Sequence, residues 1–182
     1  MDVYEAIARR RSVRIYKAGA TEAQLRKLLA VGAKAPSGGN RQSWEFIVVT
    51  DHHLIDQIAE LKYRNNCKFP PGPGETQQDV EARARNQQKW FQHASVVAVC
   101  TKAGDAASGW LAVENISLAT VAEGLGSCII AFGGEEKKGV EALLKLPAGY
   151  ELTCVLKIGV PEVAGTPPTM RPAFTWLHTN TF

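Results

Sequence analysis

Four runs of strand-forming residues most limit how this chain can fold: Glu45 to Thr50, Ser95 to Cys100, Ser127 to Phe132 and Glu151 to Val160. Adjacent apolar residues, as at Val48-Val49 and through Ser95 to Cys100, predict strands buried on both faces. Such a sheet needs helices packed over each side. The intervening stretches supply them. Val3 and Ile7 mark a short first helix that runs into arginines. Thr21 and Gln24 form a capping box ahead of Leu25, Leu28 and Leu29, on a helix ending before Pro36. Asp51 caps a third helix carrying Leu54, Ile55, Ile58 and Leu61. Asp79 to His93 is a polar helix with a sparse stripe, Val80, Ala84, Gln87, Trp90 and Phe91. Trp110 to Leu125 is the most apolar helix, with Gly126 placed to end it at C′. Glu135 to Leu146 is the last, stopped by Pro147. The expectation is an α+β or α/β chain in three layers, with about four core strands among five or six helices.

A chain of 182 residues, 45% hydrophobic and 21% charged, is expected to form one domain over residues 1–182. The net charge of +3 is too small to imply a nucleic-acid partner, and the basic residues lack interleaved aromatics. Cys100, Cys128 and Cys154 sit in apolar runs, and Cys67 forms no CxxC with them. That pattern predicts reduced thiols in a cytoplasmic protein, not a zinc site or a disulfide framework. The acidic start, Met1-Asp2-Val3-Tyr4-Glu5, does not read as a signal peptide, and no run approaches the ~20 apolar residues of a membrane helix.

The polar chemistry concentrates in a few stretches. Pro36-Ser37-Gly38-Gly39-Asn40-Arg41-Gln42-Ser43-Trp44 joins a helix to a strand. Its glycines permit close backbone approach, and Ser37, Asn40 and Gln42 can both donate and accept, which suits a planar ligand with polar edges or an ordinary turn. Arg10, Ser12 and Arg14 alternate, so an extended backbone puts them on one face as a phosphate or carboxylate clamp. The same arginines also suit the negative end of the preceding helix, with Arg9 and Arg11 simply solvated. Glu123-Gly124-Leu125-Gly126-Ser127 offers a glycine backbone against which a flat ring can lie, or a plain helix cap. Arg171 begins an apolar tail with Phe174, Trp176, Leu177 and Phe182, too apolar for a disordered end and predicted to pack against something. Cys67 to Glu75 is an exposed loop or lid. The chain lacks a G-x-G-x-x-G after a strand, a P-loop, a G-x-S-x-G and histidine spacing for a metal.

In order and spacing these motifs resemble the nitroreductase superfamily of flavin-dependent oxidoreductases. The matching stretches are Arg9 to Tyr16, Ala35 to Trp44, Ala122 to Cys128, Lys157 to Pro161 and Met170-Arg171-Pro172. The resemblance implies an α+β, three-layer α/β/α sandwich in a homodimer that exchanges arms, residues 162–182 forming the C-terminal arm. It implies FMN at the dimer interface. Arg10, Ser12, Arg14 and Arg171, with Arg11 in the same run, would hold the ribityl phosphate and the flavin edge. Pro36, Ser37, Gly38 and Asn40, with Gln42, would reach the FMN of the other subunit. Glu123 and Gly124 would lie beside the isoalloxazine, with Leu125 and Gly126 closing that wall. The implied activity moves electrons from NAD(P)H through FMN to a nitroaromatic or quinone-like acceptor. Alternatives on the same fold are dehalogenation, desaturation, flavin fragmentation, or flavin binding without turnover. FMN carries such chemistry, so no protein residue is assigned as catalytic and no metal is called for. Ser43 departs from the family pattern, in which a second proline often precedes the tryptophan, and Arg64 to Gln88 is distinctive where the family shapes its substrate opening.

Overall fold

The computed structural model describes residues 1–167 and 169–181. Among these, the elements in chain order are α1 (Val3–Arg9), β1 (Tyr16–Gly19), α2 (Glu22–Gly32), β2 (Glu45–Val49), α3 (His52–Cys67), α4 (Gln77–Lys89), β3 (Ser95–Lys102), α5 (Ala106–Ala122), β4 (Gly126–Ile130), α6 (Gly134–Leu143) and β5 (Tyr150–Pro161). The expected capping box is present: Thr21 Oγ1 accepts from the Gln24 N–H, and the Gln24 side chain accepts from the Thr21 N–H. Asp51 caps α3 by accepting from the His53 N–H at 2.8 Å.

All pairings in the sheet are antiparallel. β2 pairs with β3, β3 with the long strand β5, and β4 and β1 also pair with β5. Gly159 is partnered by both Gly19 of β1 and Gly126 of β4, so those two strands lie on opposite edges of β5. β1 thereby continues the β3 side of the sheet, and the Ser95 hydroxyl at the start of β3 donates to the Ala20 carbonyl at 3.0 Å. Alternation then sorts the core. Val96, Ala98 and Cys100 pack with Ile55, Ile58 and Val140 from α3 and α6. Val97 and Val99 pack with Leu25, Leu28, Val113 and Ile116 from α2 and α5. A sheet apolar on both faces between two helical layers is the three-layer α+β arrangement that the strand runs predict.

Several expectations are corrected. β1 has no counterpart in the predicted strands, because Tyr-Lys-Ala-Gly carries no alternation and is a strand only through β5. Val48 is 39% exposed near the end of the edge strand β2, whereas Phe46 on the same face packs against the core. α5 starts at Ala106, ahead of Trp110, and both Trp110 and Leu111 are exposed. α4 runs from Gln77 to Lys89, shifted toward the N-terminus by a second capping box of Thr76 and Asp79. α6 ends at Leu143, before the expected Leu146. The glycine that ends α5 is Gly124, at φ 68°, not Gly126. The Gly124 N–H donates to the Val121 carbonyl and the Leu125 N–H to the Thr120 carbonyl, a paired closure that needs a left-handed residue at Gly124. Cys67 is the last residue of α3, so the exposed connection from α3 to α4 starts after it.

The joint between α2 and β2 is tied to the start of α5. Ser43 is buried, and its hydroxyl donates to Asp105 Oδ2 at 2.5 Å. The Ser108 hydroxyl donates to Asp105 Oδ1 at 2.8 Å, and the Arg41 guanidinium lies 3.7 Å from the same carboxylate. These donors, Ser43 first, hold the Asp105 carboxyl below the usual aspartate range. Trp44 packs beside them with Ala35 and Ala112.

Two outcomes follow. A Cβ on Gly159 would stand 2.4 Å from the Ala18 carbonyl oxygen, a backbone atom that cannot rotate away. Gly159→Ala should cost about 1–3 kcal/mol through overpacking. Thermal unfolding should show this as a loss of roughly 2–4 °C per kcal/mol for a chain of this size, and an unchanged midpoint would overturn the reading. Ser43→Ala should lower stability near neutral pH. A depressed aspartate contributes stability above its unfolded pKa and loses it as pH falls through its folded pKa. The gap between wild type and Ser43→Ala in urea unfolding should therefore narrow in acid, and a constant gap would rule out the Asp105 linkage.

Candidate functional site

The segment between α1 and β1 is laid along β4. The Val13 N–H donates to the Ser127 carbonyl at 2.9 Å, and Ser12 forms a parallel bridge with Ser127. Val13 and Tyr16 are buried, and the Tyr16 hydroxyl donates to the Val13 carbonyl at 2.5 Å, with the Lys157 carbonyl 3.1 Å away. Burial raises the Tyr16 pKa and keeps its phenol protonated. In this extended run alternate side chains take opposite sides. Ser12 and Arg14 face one cavity, whereas Arg9, Arg11 and Val13 face another. Arg10 is half-buried, with Nε 3.8 Å from Glu114 of α5. Arg11 Nη1 donates to the Ala8 and Arg10 carbonyls, both at 2.7 Å. Arg11, expected to be solvated, instead closes the helix end, while Arg14 lines the cavity.

The cavity under Ser12 and Arg14 measures about 170 Å³, and Lys62, Gln87, Cys128 and Lys157 also line it. Sequence reasoning assigned no role to the two lysines. The signal for Lys157 was present all the same, as a single cation inside the otherwise apolar run Cys154 to Ile158. Burial pushes the Lys157 ammonium down to about 8, lowers Lys62 as well, and raises the Cys128 thiol.

On the other side of the segment, Arg9, Arg11 and Val13 face Gly124, Gly126 and Pro161 across an open hollow of about 530 Å³. Gly124 is exposed and has no side chain, so the backbone after α5 forms a bare shelf. The Leu125 side chain turns inward to the core with Leu28 and Val113. Gly126 sits directly under Val13, where a Cβ would come within 2.5 Å of a Val13 methyl. The Glu123 carboxylate is held by Lys27 of α2 at 2.6 Å.

The loop from Pro36 to Gln42 lines neither cavity. Gly39, Asn40 and Gln42 all have positive φ, at 58°, 53° and 48°. Ser37 Oγ accepts from the Gln42 N–H at 2.9 Å, and Gln42 Nε2 donates to Asn40 Oδ1 at 3.0 Å. Asn and Gln in a left-handed backbone need such local support. Pro36, Gly38 and Asn40 are exposed on this loop. Arg171 is exposed in the tail beyond β5, along with Met170, Phe174, Trp176 and Leu177. The apolar contribution expected of Phe182 lies outside the described residues. Ser12 and Arg14 are therefore gathered at one cavity, and Arg11, Gly124, Leu125 and Gly126 at a second. Pro36, Ser37, Gly38, Asn40, Gln42 and Arg171 stand on other exposed segments. Among the described residues no helix is long and apolar enough to cross a membrane.

The chain is similar in sequence and in fold to several known proteins. An iodotyrosine deiodinase of Thermotoga neapolitana is 28% identical over 167 residues, covering 88% of this chain and 89% of the relative. An NADH dehydrogenase of Thermus thermophilus is 25% identical over 194 residues, covering 94% and 93%. The crystal structure of oxidized iodotyrosine deiodinase bound to FMN and 3-iodo-L-tyrosine superposes with a TM-score of 0.82 at 26% identity, covering 100% of both chains. The model of the Nitroreductase family matches residues 7–160, from within α1 to the penultimate residue of β5. Over that span, which holds all but the last residue of the sheet, the chain belongs to the nitroreductase family.

Proposed function

We propose that this protein is an FMN-dependent oxidoreductase of the nitroreductase family that takes electrons from NAD(P)H and passes them to an electron-poor acceptor such as a nitroaromatic or a quinone. The observation that carries the reading is the Arg10 to Tyr16 segment. It presents a hydroxyl and a guanidinium to a cation-lined cavity on one side, and a bare glycine shelf across a hollow on the other. That donor set fits a phosphorylated flavin. Guanidinium and hydroxyl groups suit a phosphate, and a backbone without side chains admits a flat ring. Ser12, Arg14, Arg10 and Arg171 would hold the anionic end, and Gly124 with the Glu123 backbone the ring. When bound, FMN supplies the hydride and electron transfer. The chain's own contribution is to bind, orient and exclude water, with Lys27 holding Glu123 off the shelf.

The site is read as complete only in a homodimer. The loop from Pro36 to Gln42 and Arg171 itself line neither cavity of their own chain, although Ala164 and Gly165 at the start of the tail line the hollow beside Arg11; in this reading the loop and the tail beyond Gly165 serve the partner's site. Apolar surface supports it. Val3, Tyr4 and Ile7 of α1 and Trp110 and Leu111 of α5 are exposed on two helices that pack together. Phe174 and Trp176, with ring centroids 6.0 Å apart, stand exposed on the tail. Monomers seldom carry such a surface. Residues 1–161 then form the body of one domain and residues 162–182 an arm for the partner.

A second reading, reductive dehalogenation of a halogenated aromatic, is favoured by the full-length likeness to iodotyrosine deiodinase. The purified protein should be yellow under either reading. NADH or NADPH should bleach it without oxygen, and nitroaromatic turnover should be rapid. Slow reduction by both nicotinamides, with iodide released from 3-iodotyrosine under chemical reduction, would select the second reading. A colourless protein that ignores added FMN would refute both. Deleting residues 172–182 should lower both dimer content and flavin occupancy in sedimentation velocity monitored at the flavin absorbance. A fully flavinated dimer after truncation would remove the tail from the site.

A further inference from the structure

The turn from Gly38 to Gln42 is held in a conformation that its residues resist. Asn40 and Gln42 both stand at positive φ, 53° and 48°, beside Gly39 at 58°. Non-glycine residues keep such a backbone only where the surroundings over-determine it. Here the surroundings reach in from α5. Ala35 and Trp44, at the two ends of the loop, pack together with Ala112 of α5. Ser43, directly after Gln42, is 4% exposed, and its hydroxyl donates to Asp105 Oδ2 at 2.5 Å. Arg41 Nη2 lies 3.7 Å from Asp105 Oδ1. A Cβ on Gly38 would stand 3.0 Å from that same nitrogen, so the guanidinium bridges the backbone of the turn and the carboxylate.

Asp105 is the N-cap of α5, where an aspartate ordinarily accepts from the first amides of its own helix. Its side chain makes no such bond. The carboxylate, 12% exposed, takes the Ser43 hydroxyl, the Arg41 cation and the Ser108 hydroxyl at 2.8 Å. Two of these three groups belong to the loop. Asp105 is steadied from the other side as well. The Gly104 N–H donates to Glu151 Oε1 at 3.1 Å, and Lys137 holds the Glu151 carboxylate at 2.9 Å. The loop is thereby tied through Asp105 to the start of β5. What it presents at its tip, Gly38, Gly39, Asn40 and Gln42, is exposed and lines neither cavity of the candidate site.

We propose that Asp105 is a positioning residue that acts in trans: through Ser43 and Arg41 it presets the Gly38–Gln42 turn, and the turn serves the flavin site of a second copy of this chain. The role in trans rests on the flavin reading and the homodimer above; the preset shape rests on the contacts of Asp105 alone. A turn that holds its competent shape only part of the time lowers apparent affinity by that fraction, so fixing the shape in advance strengthens binding. Without the carboxylate the turn relaxes toward ordinary backbone. The partner's site then loses affinity, while Ser12 and Arg14 of the same chain keep their places.

The test uses full-length wild type, Asp105→Asn, Arg41→Met and Ser108→Ala. In flavin-free protein, hydrogen exchange at the amides of Asn40, Arg41 and Gln42 should speed by about ten-fold in Asp105→Asn, and FMN affinity should fall by about the same factor. Arg41→Met changes a mostly exposed side chain and should act in the same direction by about two- to three-fold. Ser108→Ala removes only the bond within α5 and should leave the turn amides and FMN affinity as in wild type. A mixed dimer gives a readout that a merely structural defect would not. Asp105→Asn and Arg14→Ala chains, separately tagged and purified together, set an intact Arg14 opposite an intact loop at one of the two sites. That dimer should bind one FMN with wild-type affinity, whereas each variant homodimer binds weakly at both sites. A mixed dimer without a tight site would place Asp105 in the site of its own chain and overturn the proposal. So would turn amides that exchange at the wild-type rate in Asp105→Asn, or equally fast in Ser108→Ala. A wild type that binds no flavin overturns the flavin reading and the role in trans with it; the exchange rates then decide by themselves whether Asp105 presets the turn.

Discussion

Gly159 carries a strand on each of its edges, and the rest of the architecture depends on that close approach. Gly19 pairs with it on one side and Gly126 on the other. A methyl at any of the three would collide: with the Ala18 carbonyl at 2.4 Å, a Val13 methyl at 2.5 Å or the Ser95 hydroxyl at 2.6 Å. The absent side chains let the segment after α1 settle onto β4 and lead into β1. Once it is seated, extended geometry does the remaining work. Ser12 and Arg14 go to one cavity, Arg11 and Val13 go to the opposite side, and Tyr16 enters the core at the start of β1.

Charge is distributed with the same economy. Most buried or half-buried charges have a partner of opposite sign, as Glu136 has Lys68 and Glu123 has Lys27. Asp105 gathers two hydroxyls and a guanidinium at the joint that anchors the loop from Pro36 to Trp44. Lys157 departs from this pattern. Its neighbours are carbonyls, rings and other cations. A strand interior retains such a residue only at a cost that solvent or a ligand must offset, and this one adjoins the Arg10 to Tyr16 segment.

Local signals were read well where the physics is local. The Thr21–Gln24 box and the Asp51 cap act over three residues, so their chemistry is visible in the string of letters. The stripe expected of the polar helix follows from helical period, with Val80, Ala84 and Phe91 buried and Gln87 and Trp90 half-buried. The errors came where a distant partner decides. Tyr16–Gly19 is a strand because β5 is beside it. Val48 is exposed because it lines a surface hollow beside α2 at the end of the sheet. Gly124 and Gly126 are near neighbours, and only the fold separates the one that ends a helix from the one that makes room for Val13.

By itself the sequence determined the layers, the caps and the family resemblance, because apolar period, cap chemistry and motif order are properties of the chain read in one dimension. It also determined which residue types stand ready at Arg10, Ser12 and Arg14. The tertiary structure alone decided which of them meet. Arg11 closes a helix because the chain turns extended at Arg10 and its guanidinium reaches the carbonyls left open there. Lys62 and Lys157 reach the Ser12–Arg14 cavity from α3 and β5, elements far apart in the chain. No spacing rule links such positions. A buried cation acquires its meaning from what the fold places opposite it, and here that is a cavity without a carboxylate.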